Sequence, residues 1–124
     1  MPHEIIAASF VRTDERGTFQ EVLNDGRWEA LIRGRMKPGA VMGNHYHKHT
    51  LIFFYISMGS VKIRTVHVET GEIDEFHLQP GQGVILRTNE SHAIRFLEES
   101  EFLMLKSDKY DPLDPDTYSF PVED

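Results

Sequence analysis

Three histidines in this chain have the residue type and spacing to do chemistry. His45 and His47 stand two apart in Gly39-Ala-Val-Met-Gly-Asn-His45-Tyr-His47. His92 closes Gly81-Gln-Gly-Val-Ile-Leu-Arg-Thr-Asn-Glu-Ser-His92, 45 residues beyond His47. Residues two apart share a face of a β-strand, whereas a helix would turn them about 200° from each other. The pair therefore predicts an extended backbone. Three imidazoles can hold one face of a divalent ion (Zn, Ni, Fe or Mn) and leave other positions open. His49 continues the series only if the strand runs past His47; a turn there makes it an exposed loop residue. His3, His67 and His77 lie in the terminus or on alternating strands and read as solvent-facing.

The elements that must position these residues are strands. Residues 27–36 alternate, with Trp28, Ala30, Ile32, Gly34 and Met36 on one face. Lys37-Pro38-Gly39 makes a turn. Leu51 to Ile56 is apolar on both faces, as expected of a strand buried between a core and a second packed surface. Val61 to Val68, Ile73 to Leu78, Val84 to Arg87, Ala93 to Leu97 and Phe102 to Leu105 follow, separated by Gly, Pro and acidic turn residues. No stretch carries a capped helical stripe. Short strands with frequent turns predict an antiparallel sandwich or barrel.

Composition narrows the class. A chain of 124 residues with 40 % hydrophobic and 27 % charged residues reads as one soluble domain. A net charge of −7 argues against nucleic acid or an anionic membrane surface as partner. Met1-Pro2-His3-Glu4 lacks a basic leader region, and the longest apolar run is far too short to span a bilayer. With no cysteine there is no disulfide or thiolate chemistry. A cytoplasmic location is expected.

The two histidine segments resemble the cupin motifs. The first, G-x5-H-x-H-x(3,4)-E-x6-G, finds Gly39, His45, His47 and Gly59 in place; in the second, Gly81 and His92 fall in register. This resemblance implies an all-β antiparallel jelly roll (a double-stranded β-helix), with metal at the barrel mouth on His45, His47 and His92. The expected organisation is a single cupin domain over 1–124, with a barrel core at 27–106 and a C-terminal extension at 107–124 lying over the barrel.

Asp14-Glu-Arg-Gly-Thr-Phe19, Gly43-Asn-His-Tyr-His47 and Tyr110-Asp-Pro-Leu-Asp-Pro-Asp-Thr117 are similar to landmarks of cupins that act on nucleotide sugars. These include deoxysugar epimerases and ketoisomerases, and the C-terminal cupin domain of capsular-polysaccharide reductases handling UDP-linked acetamido-dideoxyhexuloses. The resemblance implies an epimerase or isomerase on a sugar or nucleotide-sugar in surface polysaccharide biosynthesis. A three-histidine dioxygenase and a non-catalytic ligand-binding or sensing module remain open, and no catalytic residue is assigned.

The departures are specific. Ile52 stands where the usual glutamate ligand would be. Met42 replaces an arginine that often precedes Gly-Asn-His, and Gln82, Arg87 and Phe96 replace the aspartate, proline and asparagine of the second motif. A less polar barrel mouth follows. Arg33 and Arg35 share a face and would either grip a phosphate or form a solvated surface. Leu51, Phe53 and Tyr55 form a second apolar row opposite Ile52, Phe54 and Ile56. An apolar outer face predicts a homodimer that covers it.

Overall fold

The computed structural model describes residues 2–123, and among them every regular element is a β-strand. A hairpin of β1 (Phe10–Asp14) and β2 (Gly17–Glu21) precedes β3 (Ala30–Met36), β4 (Val41–Tyr46), β5 (Ile52–Met58) and β6 (Val61–His67). β7 (Ile73–Leu78), β8 (Gln82–Leu86), β9 (Glu90–Phe96), β10 (Ser100–Lys106) and the short β11 (Tyr118–Ser119) complete the chain. A four-stranded sheet in the order β3-β10-β5-β8 faces a five-stranded sheet in the order β11-β4-β9-β6-β7, and every pairing is antiparallel. This is the jelly roll that the turn spacing and motifs predict.

Period-two alternation builds the core. Ile52, Phe54 and Ile56 of β5 meet Val61 and Ile63 of β6, Ile94 and Phe96 of β9, and Phe102 and Met104 of β10. Phe54 stacks on Phe102 at 5.3 Å between ring centroids, and Phe96 lies 5.9 Å from Phe102. The outward row behaves differently from the expectation that a partner alone could cover it. Phe53 is buried within its own chain, and its ring fills the space a Cβ on Gly83 would need. Leu51 of that row stays exposed, and Leu31, Phe19 and Leu103 carry further exposed apolar surface.

One ladder brings the two histidine segments together. β4 pairs with β9 so that His45 lies opposite His92, with a register shift between Gly43 and His45. Gly43 (φ 98°) and Asn44 (φ 59°) both take left-handed backbone there, the signature of a bulge that re-aims side chains. A Cβ on Gly43 would collide with the His92 carbonyl.

The segment after β10 runs over the barrel without a helix. Asn44 anchors its end: the Asn44 side-chain oxygen accepts from the Val122 and Glu123 N–H groups at 2.8 and 3.0 Å, and its amide donates to the Glu123 carbonyl. The Glu123 carboxylate pairs with Lys62 and Arg95.

Candidate functional site

His45, His47 and His92 converge, and one ring nitrogen from each lies within 4.8 Å of those of the others. Ring centroids stand 5.0 Å apart for His45 and His47, 4.9 Å for His45 and His92, and 5.6 Å for His47 and His92. His47 sits just past the end of β4 rather than within it. The bulge before His45 and the anchoring of the following turn, not strand alternation alone, bring it to the cluster.

That anchor is Asp116. Its carboxylate accepts from the backbone N–H groups of Lys48, His49 and Thr50 at 2.7, 2.8 and 2.8 Å, and from the Thr50 hydroxyl at 2.9 Å. Burial works to raise its pKa, but these four donors outweigh it and bring the carboxyl down to about 2. The backbone carbonyl of Asp116 faces His47 Nδ1. A carbonyl can only accept, so Nδ1 carries the proton and Nε2 presents its lone pair. His47 Nε2 and His92 Nδ1 are both buried without a hydrogen-bond partner, which a buried polar nitrogen does not tolerate cheaply.

Burial, with the neighbouring His47 and Lys106 added, lowers His45 to about 4; burial together with His45, His47 and Lys106 lowers His92 to about 3. Burial also lowers His47, against the opposing pull of Asp116. All three are therefore neutral imidazoles around pH 7, the form that binds metal. The donor set fits a divalent ion: three converging neutral imidazoles, two of which carry a buried ring nitrogen without a partner.

Ile52 faces inward, as expected, but packs in the hydrophobic core beside Phe54. Its cross-strand partner is Lys106, which continues the inward row of Phe102 and Met104. An ammonium thus approaches the cluster where the sequence pattern would place a carboxylate. Lys106 also borders a cavity of about 130 Å³ with Thr50, Asp116 and Tyr118.

The remaining histidines divide. His49 is an exposed turn residue, and His77 is exposed on β7. His67 is half-buried and accepts from the N–H groups of Glu69 and Thr70. His3 corrects the solvent-facing expectation: its side chain is only 2 % accessible, clamped between Asp74 at 2.8 Å and Glu90. With Arg87 beside Glu90, this cluster also makes the barrel less apolar than the replaced second-motif residues suggest. Gln82, in the aspartate position, accepts from the Gln79 N–H and closes the preceding turn. Arg33 is exposed, and the Arg35 guanidinium pairs with Glu99 and Glu101 at the surface. Neither the Lys106 approach nor the Asp116 anchor is visible in strand periodicity.

Residues 12–118 match a family model described as the polysaccharide biosynthesis C-terminal domain. Among solved structures, the chain is similar to the capsular polysaccharide assembling protein CapF from Staphylococcus aureus, at 29 % identity and a TM-score of 0.72. The match covers 91 % of this chain but 34 % of CapF, so the chain spans about a third of that protein's length. A 3,4-ketoisomerase from Helicobacter canadensis matches at 20 % identity and a TM-score of 0.77, covering 93 % of this chain and 88 % of the other. The dTDP-4-dehydrorhamnose 3,5-epimerase from Sulfolobus tokodaii matches at 21 % identity and a TM-score of 0.74, covering 91 % of this chain and 80 % of the other. The last two likenesses concern the fold alone. No curated protein sequence matches the chain. No helix among the described residues is long and apolar enough to cross a membrane.

Proposed function

The chain belongs to the polysaccharide biosynthesis C-terminal domain family, and we propose that it epimerises or isomerises a sugar or nucleotide-sugar for surface polysaccharide synthesis. In this reading it is a cytoplasmic homodimer with a divalent metal on His45, His47 and His92. The observation that carries the reading is the convergence of three imidazoles, two with buried and unpartnered nitrogens. The family description and the likeness to CapF support the substrate class.

Such a reaction moves a proton on the carbon beside a ketone and must stabilise the enolate that results. A metal bound at the cluster would supply Lewis acidity toward the ketone oxygen. The chain's own contribution is positional and electrostatic. Asp116 holds the tautomer of His47, the core row of Ile52, Phe54 and Ile56 keeps water from beneath the cluster, and the Lys106 ammonium offers a counter-charge to a developing oxyanion.

Protein purified without chelator should hold about one equivalent of zinc, nickel, iron or manganese per chain by elemental analysis. His92→Ala should lose it. Incubated with a UDP-linked ketohexose in deuterated water, the loaded protein should incorporate deuterium beside the ketone, read by mass spectrometry. Loaded protein that exchanges no deuterium with UDP- or dTDP-linked ketosugars overturns the assignment.

Lys106 favours a second reading of the same chemistry. Its positive charge, beside three converging side chains that are all imidazoles, suits a site that works without metal, with neutral His45 as the general base. Full exchange activity after metal removal selects this reading over the first.

A further inference from the structure

We propose that the chain carries, beside the histidine cluster, a binding site for a neutral, hydroxyl-rich unit such as a glycosyl ring, built on Glu90, Asp74, Thr65 and Arg87 and braced by His3. The inference deepens the reading above and rests on it for the class of ligand.

A cavity of about 430 Å³ opens among these residues, within the roughly 300–1,000 Å³ typical of small-molecule sites. Its position follows from the ladder. Thr65 is the register partner of His92 across β6 and β9, and Glu90 precedes His92 by two on the same inward face. A ligand held at the histidines would therefore extend toward this wall. Thr65 and Glu90 are both buried polar residues.

The wall is braced from behind by the N-terminal segment. The His3 N–H donates to Asp74 at 2.9 Å, His3 Nδ1 bonds the same carboxylate, and Nε2 bonds Glu90. The Arg87 N–H donates to Glu90 at 2.9 Å, and the Arg87 guanidinium lies 3.4 Å from the other Glu90 oxygen. Ile6 then secures the segment by a reciprocal backbone bridge to Gly83. Buried ionisable groups on a cavity wall are costly unless paired, and here each is paired in a way that fixes its orientation.

The lining selects against an anion. Glu72, Asp74 and Glu90 face the cavity with Arg87, and the His3 ring is already shared between two of those carboxylates. A diphosphate would meet net negative charge. Carboxylates accept several hydrogen bonds, and threonine hydroxyls both donate and accept. Thr65, Thr70 and Thr88 therefore complete an array suited to vicinal hydroxyls, with Leu51 as an apolar edge.

The test is an amide NMR titration of the full chain with N-acetyl-D-glucosamine and, separately, inorganic pyrophosphate. The sugar should shift the Thr65, Thr70 and Glu90 signals saturably, and pyrophosphate should not. Thr65→Val should weaken sugar binding about five-fold while keeping the wild-type melting temperature, as loss of one or two neutral hydrogen bonds would. Glu90→Gln, checked for folding in the same spectra, should weaken it as well. The site is overturned if the sugar gives no saturable shift up to its solubility limit, if pyrophosphate shifts those signals, or if both variants bind like wild type. Metal content is measured on the same samples. Metal uptake without sugar shifts sinks this site alone, and sugar shifts without metal uptake sink the metal centre alone.

Discussion

At the scale of single residues, the site depends on groups that never touch a ligand. Asp116 folds the Lys48–Thr50 turn with four hydrogen bonds and turns its carbonyl to His47. Partners that orient a metal-binding imidazole are worth about ten- to hundred-fold in metal affinity. Asp116→Ala should weaken zinc binding by that factor in calorimetric titration, with the protein still folded; an unchanged affinity would remove the positioning role. His3 makes a different prediction. Burial works to lower its pKa, but hydrogen bonds to Glu90 and Asp74 outweigh both burial and nearby Arg87, and the net shift is upward. The groups facing it are Asp74 and Phe76 from β7, and Glu90 and Arg87 from the start of β9 and the turn before it. A raised folded-state pKa means stabilisation fully present below about pH 6.5 and lost as pH rises through the folded value. The melting-temperature gap between wild type and His3→Gln should therefore be wide near pH 6 and narrow toward pH 9. A gap that widens with pH contradicts the clamp.

At the scale of elements, the β4–β9 ladder makes one site of two separated segments, and Gly43 is its most constrained point. Gly43→Ala would demand an unfavourable positive φ and push a methyl into the His92 carbonyl. Strain of this kind costs about 1–3 kcal/mol. The variant should lose at least that much in urea denaturation and lose bound metal with it; wild-type stability would mean the bulge is not needed. This element also shows what a sequence can and cannot disclose. The strands over 52–106 were legible because alternation is local, and the histidine triad because motif spacing survives without knowing the register. The bulge at Gly43 and Asn44 leaves no periodic trace. The β1–β2 hairpin is mostly exposed and lacks the apolar alternation that announces a strand. His3 was illegible for a simpler reason: its partners Asp74 and Glu90 lie 71 and 87 residues away. Lys106 likewise approaches Ile52 only once β10 pairs with β5.

At the scale of the whole molecule, the outer face of the four-stranded sheet remains incompletely covered. Phe53 is buried under its own chain, yet Leu31 is 68 % exposed, Phe19 55 % and Leu103 38 %. With Tyr55 and Leu105 they border an apolar cavity of about 350 Å³ between the sheet and the β2 region. Continuous apolar surface of this kind is unusual on a monomer, and a two-fold contact using the same face from each copy is its commonest cover. The variant that tests this must differ from one that breaks the core. Phe53→Asp would unfold the chain whether or not a partner exists, because it buries a charge in apolar surroundings. Leu31→Glu sits on exposed surface, where substitution in a monomer changes stability by only about 0.5 kcal/mol. If the face is a dimer interface, the same change places two charges against each other across the two-fold. Sedimentation equilibrium should then show wild type as a dimer and Leu31→Glu as a monomer, and only the wild-type melting temperature should rise with protein concentration. A wild type that sediments as a monomer at every concentration would leave this face without a second copy, covered in part by the β1–β2 hairpin and by Val22 and Leu23 after it.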